Sequence, residues 1–304
     1  MIKIGLQQVI NSPFAVKLAF FLGRNIPPRF GYPLCNFIGN WIAKQQDSNV
    51  TRAVRVNQWV VRGANLDKAT LNKAVQETLR NNIRDLYHLY HYIQSPAEAE
   101  GLIHLNQLAR ELIERPEFAE RGLVIAGLHL SGFDLILQSI CKQGVKAMVL
   151  TIPDPQGGRL IEYEMRKRTG MNLVPASLST LRQTMKHLEK GGMVLTGIDH
   201  PVSTAKYHPR FFGQAASLPT HYISLALTAH VPVVIMATIR QTDGAYQVLS
   251  SELIEMEGDS DHRKEILGNA EKVLKRAEEF IQLAPQQWNV PLPVWPEQLK
   301  NIPV

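Results

Sequence analysis

The chain has 304 residues, enough to bury a real core as one large domain or two small ones. Its 20 glycines and 18 prolines exclude collagen-like and low-complexity classes, and two cysteines, Cys35 and Cys141, make neither a disulfide scaffold nor a four-thiolate zinc site. A formal charge of +6, spread along the chain, suits an anionic membrane surface, nucleic acid or an acidic carrier protein without choosing between them.

Residues 1 to about 115 read as helical. No stretch reaches the roughly 20 apolar residues of a bilayer span. The nearest, PFAVKLAFFLG (13–23), is short and carries Lys17. The preceding MIKIGLQQVINS is too polar for a signal-peptide core and no A-x-A site follows it, so secretion is not expected. Phe14, Leu18, Phe21 and Leu22 share one face at helical spacing, which fits either a helix at a membrane interface or one packed on the protein's own core. From Asp67, a helix N-cap, the positions Leu71, Val75, Leu79, Ile83, Leu86, Tyr90 and Ile93 recur at intervals of three and four and predict a long amphipathic helix. His88 and His91 on it lack a carboxylate at matching spacing and read as surface or packing residues. Ser95-Pro96 ends the helix, and a shorter one is expected through Leu102, Leu105, Leu108 and Leu112.

At Arg121 the pattern changes. Short apolar runs at 123–129, 146–152, 171–176, 193–199 and 231–240 alternate with helical patterns at 133–143, 159–169, 179–190 and 219–229. Thr242-Asp243-Gly244 turns the chain into AYQVLSSELI, and a last helix is expected near 260–283. This alternation predicts an α/β fold. A single domain over 1–304 is expected, with a helical N-terminal layer (1–120) and a core (121–290) whose mostly parallel central sheet is flanked by helices. The final strands are expected to be antiparallel.

The stretch LVIAGLHLSGFDL (123–135) carries the clearest chemical signal. An apolar strand runs into His129 at its carboxyl end, where α/β proteins keep their sites. Asp134 falls in the first turn of the next helix, favoured there by the helix dipole. The Ser131-Gly132 turn would let Asp134 fold back onto one imidazole nitrogen and leave the other as a general base. A surface loop with Asp134 capping a helix has the same spacing. No G-x-S-x-G elbow, Walker loop or G-x-G-x-x-G is present, so the base would act on a substrate hydroxyl or on water. A hydrolase, a metal centre of His129, Asp134, Asp199 and His200, and a non-catalytic membrane-associated lipid-binding protein stay open as alternatives. Nucleic acid is not expected as a partner, because no basic stripe interleaves with aromatics.

Several motifs, in order, carry a resemblance: His129-x4-Asp134, RKRTG (166–170), Asp199-His200, RFFGQAASLP (210–219), VPVV with IRQTDGAY (239–246), and LAPQQW (283–288). The chain resembles the bacterial lipid A biosynthesis acyltransferases of the lysophospholipid acyltransferase superfamily. The resemblance implies a glycerolipid acyltransferase-like fold. It implies acyl transfer from acyl-ACP or acyl-CoA to a hydroxyl of a membrane glycolipid or phospholipid, with no cofactor and no metal. His129 would be the base and Asp134 its orienting partner, with Arg159, Arg166, Asp199, Phe212 and Gly213 on the substrate side. Backbone N–H groups near 131–133, or an arginine, would face the oxyanion. The implied location is peripheral, on the cytoplasmic face of the inner membrane. Trp288 is expected in the core, and Trp295 fits core or interface. Thr151-Ile152-Pro153 stands where the family has aromatic-Arg-Pro, and WNVPLPVW lacks the family's closing His and Arg.

Overall fold

The computed structural model describes residues 12–303 apart from 94, 115–120, 143, 152–154 and 156–157. Four helices come first: α1 (Pro13–Asn25), α2 (Pro28–Lys44), α3 (Asn49–Val61) and α4 (Lys68–Tyr92). Three have hydroxyl or carboxylate caps. Ser12 accepts from the Ala15 amide, Ser48 from that of Thr51, and Asp67 from that of Thr70 at 2.7 Å, which satisfies amides the first turn cannot pair. Helices α1, α2 and α3 all pack on α4. Val56 and Val60 of α3 meet Leu71, Val75 and Leu79 of α4 in the main core, along the stripe read from the sequence. His88 is a packing residue, held between the hydroxyls of Tyr246 at 2.8 Å and Tyr32 at 3.0 Å.

Residues 102–112 are not a single helix: a short α5 (Pro96–Gly101) leads into strand β1 (Ile103–Leu105), and α6 (Gln107–Glu114) begins after Asn106. Strand β1 pairs in parallel with β9 (Tyr246–Ser250), and Ile103 and Leu105 pack beside Tyr246 and Val248. Covering the open edge of β9 outweighs the local leucine spacing.

Strands and helices then alternate as expected: β2 (Leu123–Gly127), α7 (Phe133–Lys142), β3 (Ala147–Thr151), α8 (Gly158–Arg168), β4 (Asn172–Pro175), α9 (Leu178–Glu189) and β5 (Met193–Gly197). A small hairpin, β6 (Arg210–Phe211) and β7 (Gln214–Ala215), precedes α10 (His221–Ala229), β8 (Val233–Arg240), β9 and α11 (His262–Leu283). The seven-stranded sheet has the order β1-β9-β8-β2-β5-β3-β4. Every pairing in it is parallel except the final hairpin of β8 and β9.

Strand β2 lies inside the sheet and is buried on both faces, which explains its unbroken apolar run. Val124 and Ala126 enter the core formed with α9, α10 and α11, while Leu123 and Ile125 meet Leu112 of α6 on the other face. The segment after α11 returns to the N-terminal layer. There the buried Asn57 amide donates to the Val290 and Leu292 carbonyls at 3.0 and 2.9 Å and accepts from the Val294 amide. Trp288 and Trp295 are both buried in this closure, Trp295 stacked on Phe211 and Trp288 edge-on to it.

Candidate active site

Gly127 of β2 and Gly197 of β5 are registered partners in adjacent parallel strands. Each strand continues two residues, to His129 and Asp199, so the sheet brings level two side chains 70 residues apart. The His129 Nδ1 lies 2.6 Å from Asp199 Oδ1. The second oxygen, Oδ2, accepts from the His129 backbone amide at 2.9 Å and from the Trp288 indole at 2.8 Å. Asp199 is fully buried. Burial alone would raise its pKa, but the adjacent imidazole, then His200 and the indole, hold the carboxyl well below the usual range.

A carboxylate on Nδ1 puts the neutral imidazole's proton there and makes Nε2 the acceptor. Among the described residues Nε2 has no hydrogen-bond partner, and the side chain is 22% exposed. The edge of Phe133 and the ring of His200 pack around it, with centroids at 4.7 and 4.1 Å.

The structure differs here from the expected pairing. Asp134 does open α7, but its carboxylate is held bidentately by Arg166 of α8, at 2.9 Å to Nε and 2.8 Å to the terminal nitrogen. Gln138 adds a third bond at 3.0 Å. No hydrogen bond joins Asp134 to His129 among the described residues; the planar guanidinium fork matches both carboxylate oxygens at once, which one imidazole nitrogen cannot. Burial pushes the Asp134 carboxyl up, Arg166 more than offsets it, and the group titrates below the ordinary range. Glu162, one turn earlier on α8, is raised by burial and by Asp134. Arg159 is exposed at the start of α8, near enough for its charge to act on His200 and Glu162.

Phe212 and Gly213 form the two-residue turn of the β6–β7 hairpin, both with positive φ, 50° and 71°. Phe212 donates its amide to Glu278 and packs on Trp295, while Phe211 packs on Trp288. This motif thus backs the indole that holds Asp199. The loop between His129 and Asp134 is tied from below. Ser131 Oγ donates to buried Asp85 of α4 at 2.7 Å, its carbonyl accepts from Thr238, and Arg240 stands 3.6 Å from Asp85. At Gly132, with φ of +74°, an added Cβ would lie 2.2 Å from the Tyr246 ring. Spacing could not reveal Asp85 or the Trp288 contact, since each joins elements far apart in sequence.

Among the described residues no group of three or more His, Cys, Asp or Glu side chains is arranged to hold a metal. A sequence model of the bacterial lipid A biosynthesis acyltransferase family matches residues 7–295. The chain belongs to that family. No curated protein matches it. Family membership makes the protein an acyltransferase of lipid biosynthesis, acting on lipid A-like substrates.

Two expectations follow for the acyltransferase. An alanine Cβ at Gly197 would come within 2.6 Å of His129 Cε1, and the backbone there needs no positive φ. Gly197→Ala should therefore displace the imidazole without straining the strand, lowering kcat about 10- to 100-fold with little change in Tm. Wild-type kcat in this variant would show that the ring position is not critical.

The second concerns pH. Burial pushes His88 down to about 3, and lowers His200 and His221 as well. Below about pH 6.5 the unfolded chain takes up these protons more readily than the folded one, each group costing up to about 1.4 kcal/mol per pH unit. Asp85, raised by burial to about 6, and Glu162, also raised, work in the opposite sense as pH falls, but they are two groups against three. Thermal unfolding should show Tm falling from pH 7 to pH 5; a flat profile would contradict the buried neutral histidines.

Proposed function

We propose that this acyltransferase moves a fatty acyl chain from acyl-ACP or acyl-CoA to a hydroxyl of a membrane glycolipid or phospholipid, with His129 as general base. The observation that carries this is an imidazole fixed through Nδ1 by a buried carboxylate, its Nε2 unpartnered at the carboxyl end of the sheet. His129 Nε2 takes the proton of the acceptor hydroxyl as its oxygen attacks the thioester carbonyl. The tetrahedral intermediate expels the thiolate, which takes the proton back from the imidazolium. Asp199 orients the ring and stabilises its charged form. No covalent enzyme intermediate is required, and Ser131, the hydroxyl nearest in sequence, is buried and committed to Asp85.

In this reading the Asp134–Arg166 pair sets the wall formed by α7 and α8, and Arg159, exposed beside His200, meets the anionic part of a substrate. Phe212 and Gly213 shape the site through Trp295 and the Phe211–Trp288 contact. The proposed location is peripheral, on the cytoplasmic face of the inner membrane; no helix among the described residues is long and apolar enough to cross a membrane. The test supplies purified protein with radiolabelled acyl-ACP or acyl-CoA and a bacterial membrane lipid extract, with His129→Ala in parallel. A new acyl-lipid made only by the wild type supports the reading. Free fatty acid alone would make the protein a thioesterase, and no His129-dependent product with either donor would overturn the assignment of the base.

A further inference from the structure

Of the exposed large apolar side chains among the described residues, most lie on two helices: Phe14, Leu18 and Phe21 on α1, and Phe30, Leu34, Phe37 and Trp41 on α2. The spacing i, i+4, i+7 repeats in both, so each helix carries a continuous outward stripe. Phe14 is 76% exposed, Phe37 68% and Trp41 49%. The opposite faces are used inward, with Val16 and Gly23 of α1 and Cys35, Gly39 and Ile42 of α2 buried. A patch of this kind is costly to leave in water.

Charge says what covers it. From Met1 to Gln46 the chain has Lys3, Lys17, Arg24, Arg29 and Lys44 and no Asp or Glu. Beside α2, between it and helices α3 and α4, lies a cavity of about 420 Å³ whose lining includes Lys44, Arg55, Lys73, Asn40, Asn72 and Gln76 and no carboxylate. Asn72 Oδ1 accepts from Arg55 and Asn40 Oδ1 accepts from Arg80, so the amide NH2 groups remain to donate. Arg55 is half-buried, and its ion-pair partner is absent among the described residues. Cations with no carboxylate beside them, next to free amide donors, suit an anionic oxygen group.

We propose that α1 and α2 form one docking surface for an anionic lipid bilayer, with the cavity of Lys44, Arg55 and Lys73 seating an anionic headgroup. This deepens the peripheral location given above and rests on it. Helix α1 packs against α8, the helix of Arg159 and Arg166, and α8 presents Leu160, 47% exposed. Docking through α1 therefore sets the membrane beside the wall of the active site, where a lipid acceptor has to arrive.

The other tryptophans, Trp59, Trp288 and Trp295, are buried, so a membrane-induced change in the summed emission reports on Trp41. The full chain is mixed with phosphatidylethanolamine vesicles, with and without phosphatidylglycerol, and followed by co-sedimentation and tryptophan fluorescence. The wild type should bind the phosphatidylglycerol vesicles with a blue shift, and brominated acyl chains should quench the emission. Phe30→Ser with Phe37→Ser, which keeps Trp41, should weaken binding at least about tenfold. Lys44→Gln, Arg55→Gln and Lys73→Gln together should lose the preference for phosphatidylglycerol, by about fivefold per cation, and inorganic phosphate at millimolar level should not restore or mimic it. Absence of vesicle binding, or binding without any change at Trp41, overturns the proposal. So does a stable dimer that the Phe30 and Phe37 substitutions dissolve, which would assign the face to a second copy of the chain. Binding is read without turnover, so failure of the acyl-transfer reading would leave it standing.

Discussion

Replacing His129 with alanine is expected to lower kcat for acyl transfer by about 10²–10⁴-fold, the usual contribution of a positioned general base. The loss should fall on chemistry and leave donor binding largely intact, because the imidazole is the group that would accept the hydroxyl proton. Stability should fall only modestly. Asp199 keeps two of its three donors, the residue-129 backbone amide and the Trp288 indole. The space left is bounded by Phe133, His200 and Gly197, a slot for a flat ring next to a carboxylate. Imidazole added to the variant should therefore restore part of the activity, with the restored rate rising as pH passes imidazole's pKa and the free base accumulates. A variant that turns over at the wild-type rate would remove His129 from the reaction, whatever the fold around it.

The strand–helix alternation was legible because both periods are local, and parallel strands buried on two faces leave unbroken runs such as residues 123–127. The position of His129 followed from its place at the end of such a run. Its partner was not legible in the same way. Asp134 is near in sequence and Asp199 near in space, and only the order of strands, with β5 beside β2, decides between them. The sequence did hold a trace of that: Asp199-His200 also ends a strand, and two adjacent parallel strands bring their ends level. Arg166 was legible as part of a motif, but its engagement with Asp134 depends on how α8 lies against α7. Strand β1 was missed for a related reason, since three residues carry no period and the open edge of β9 decided their conformation.

The two carboxylates near His129 should respond differently to the same substitution. In Asp199→Asn the amide oxygen is the better acceptor for the paired backbone and indole donors, which turns the NH2 toward Nδ1. Nδ1 must then accept, and the ring proton moves to Nε2, where the base should be. The base is blocked by its own tautomer, and kcat should fall by about 10²–10⁴-fold with the fold kept. In Asp134→Asn the imidazole keeps its partner, but Arg166 loses the charge that both its bonds address. That change should cost about 2–4 kcal/mol of stability, visible in Tm, with a smaller effect on kcat. Raising pH should not rescue Asp199→Asn, because the one proton of the neutral imidazole stays on Nε2. If instead Asp134→Asn lost activity as completely as Asp199→Asn at unchanged Tm, the carboxylate nearer in sequence would be the orienting one. Asp199 would then serve to seat the loop of His129 through its backbone amide.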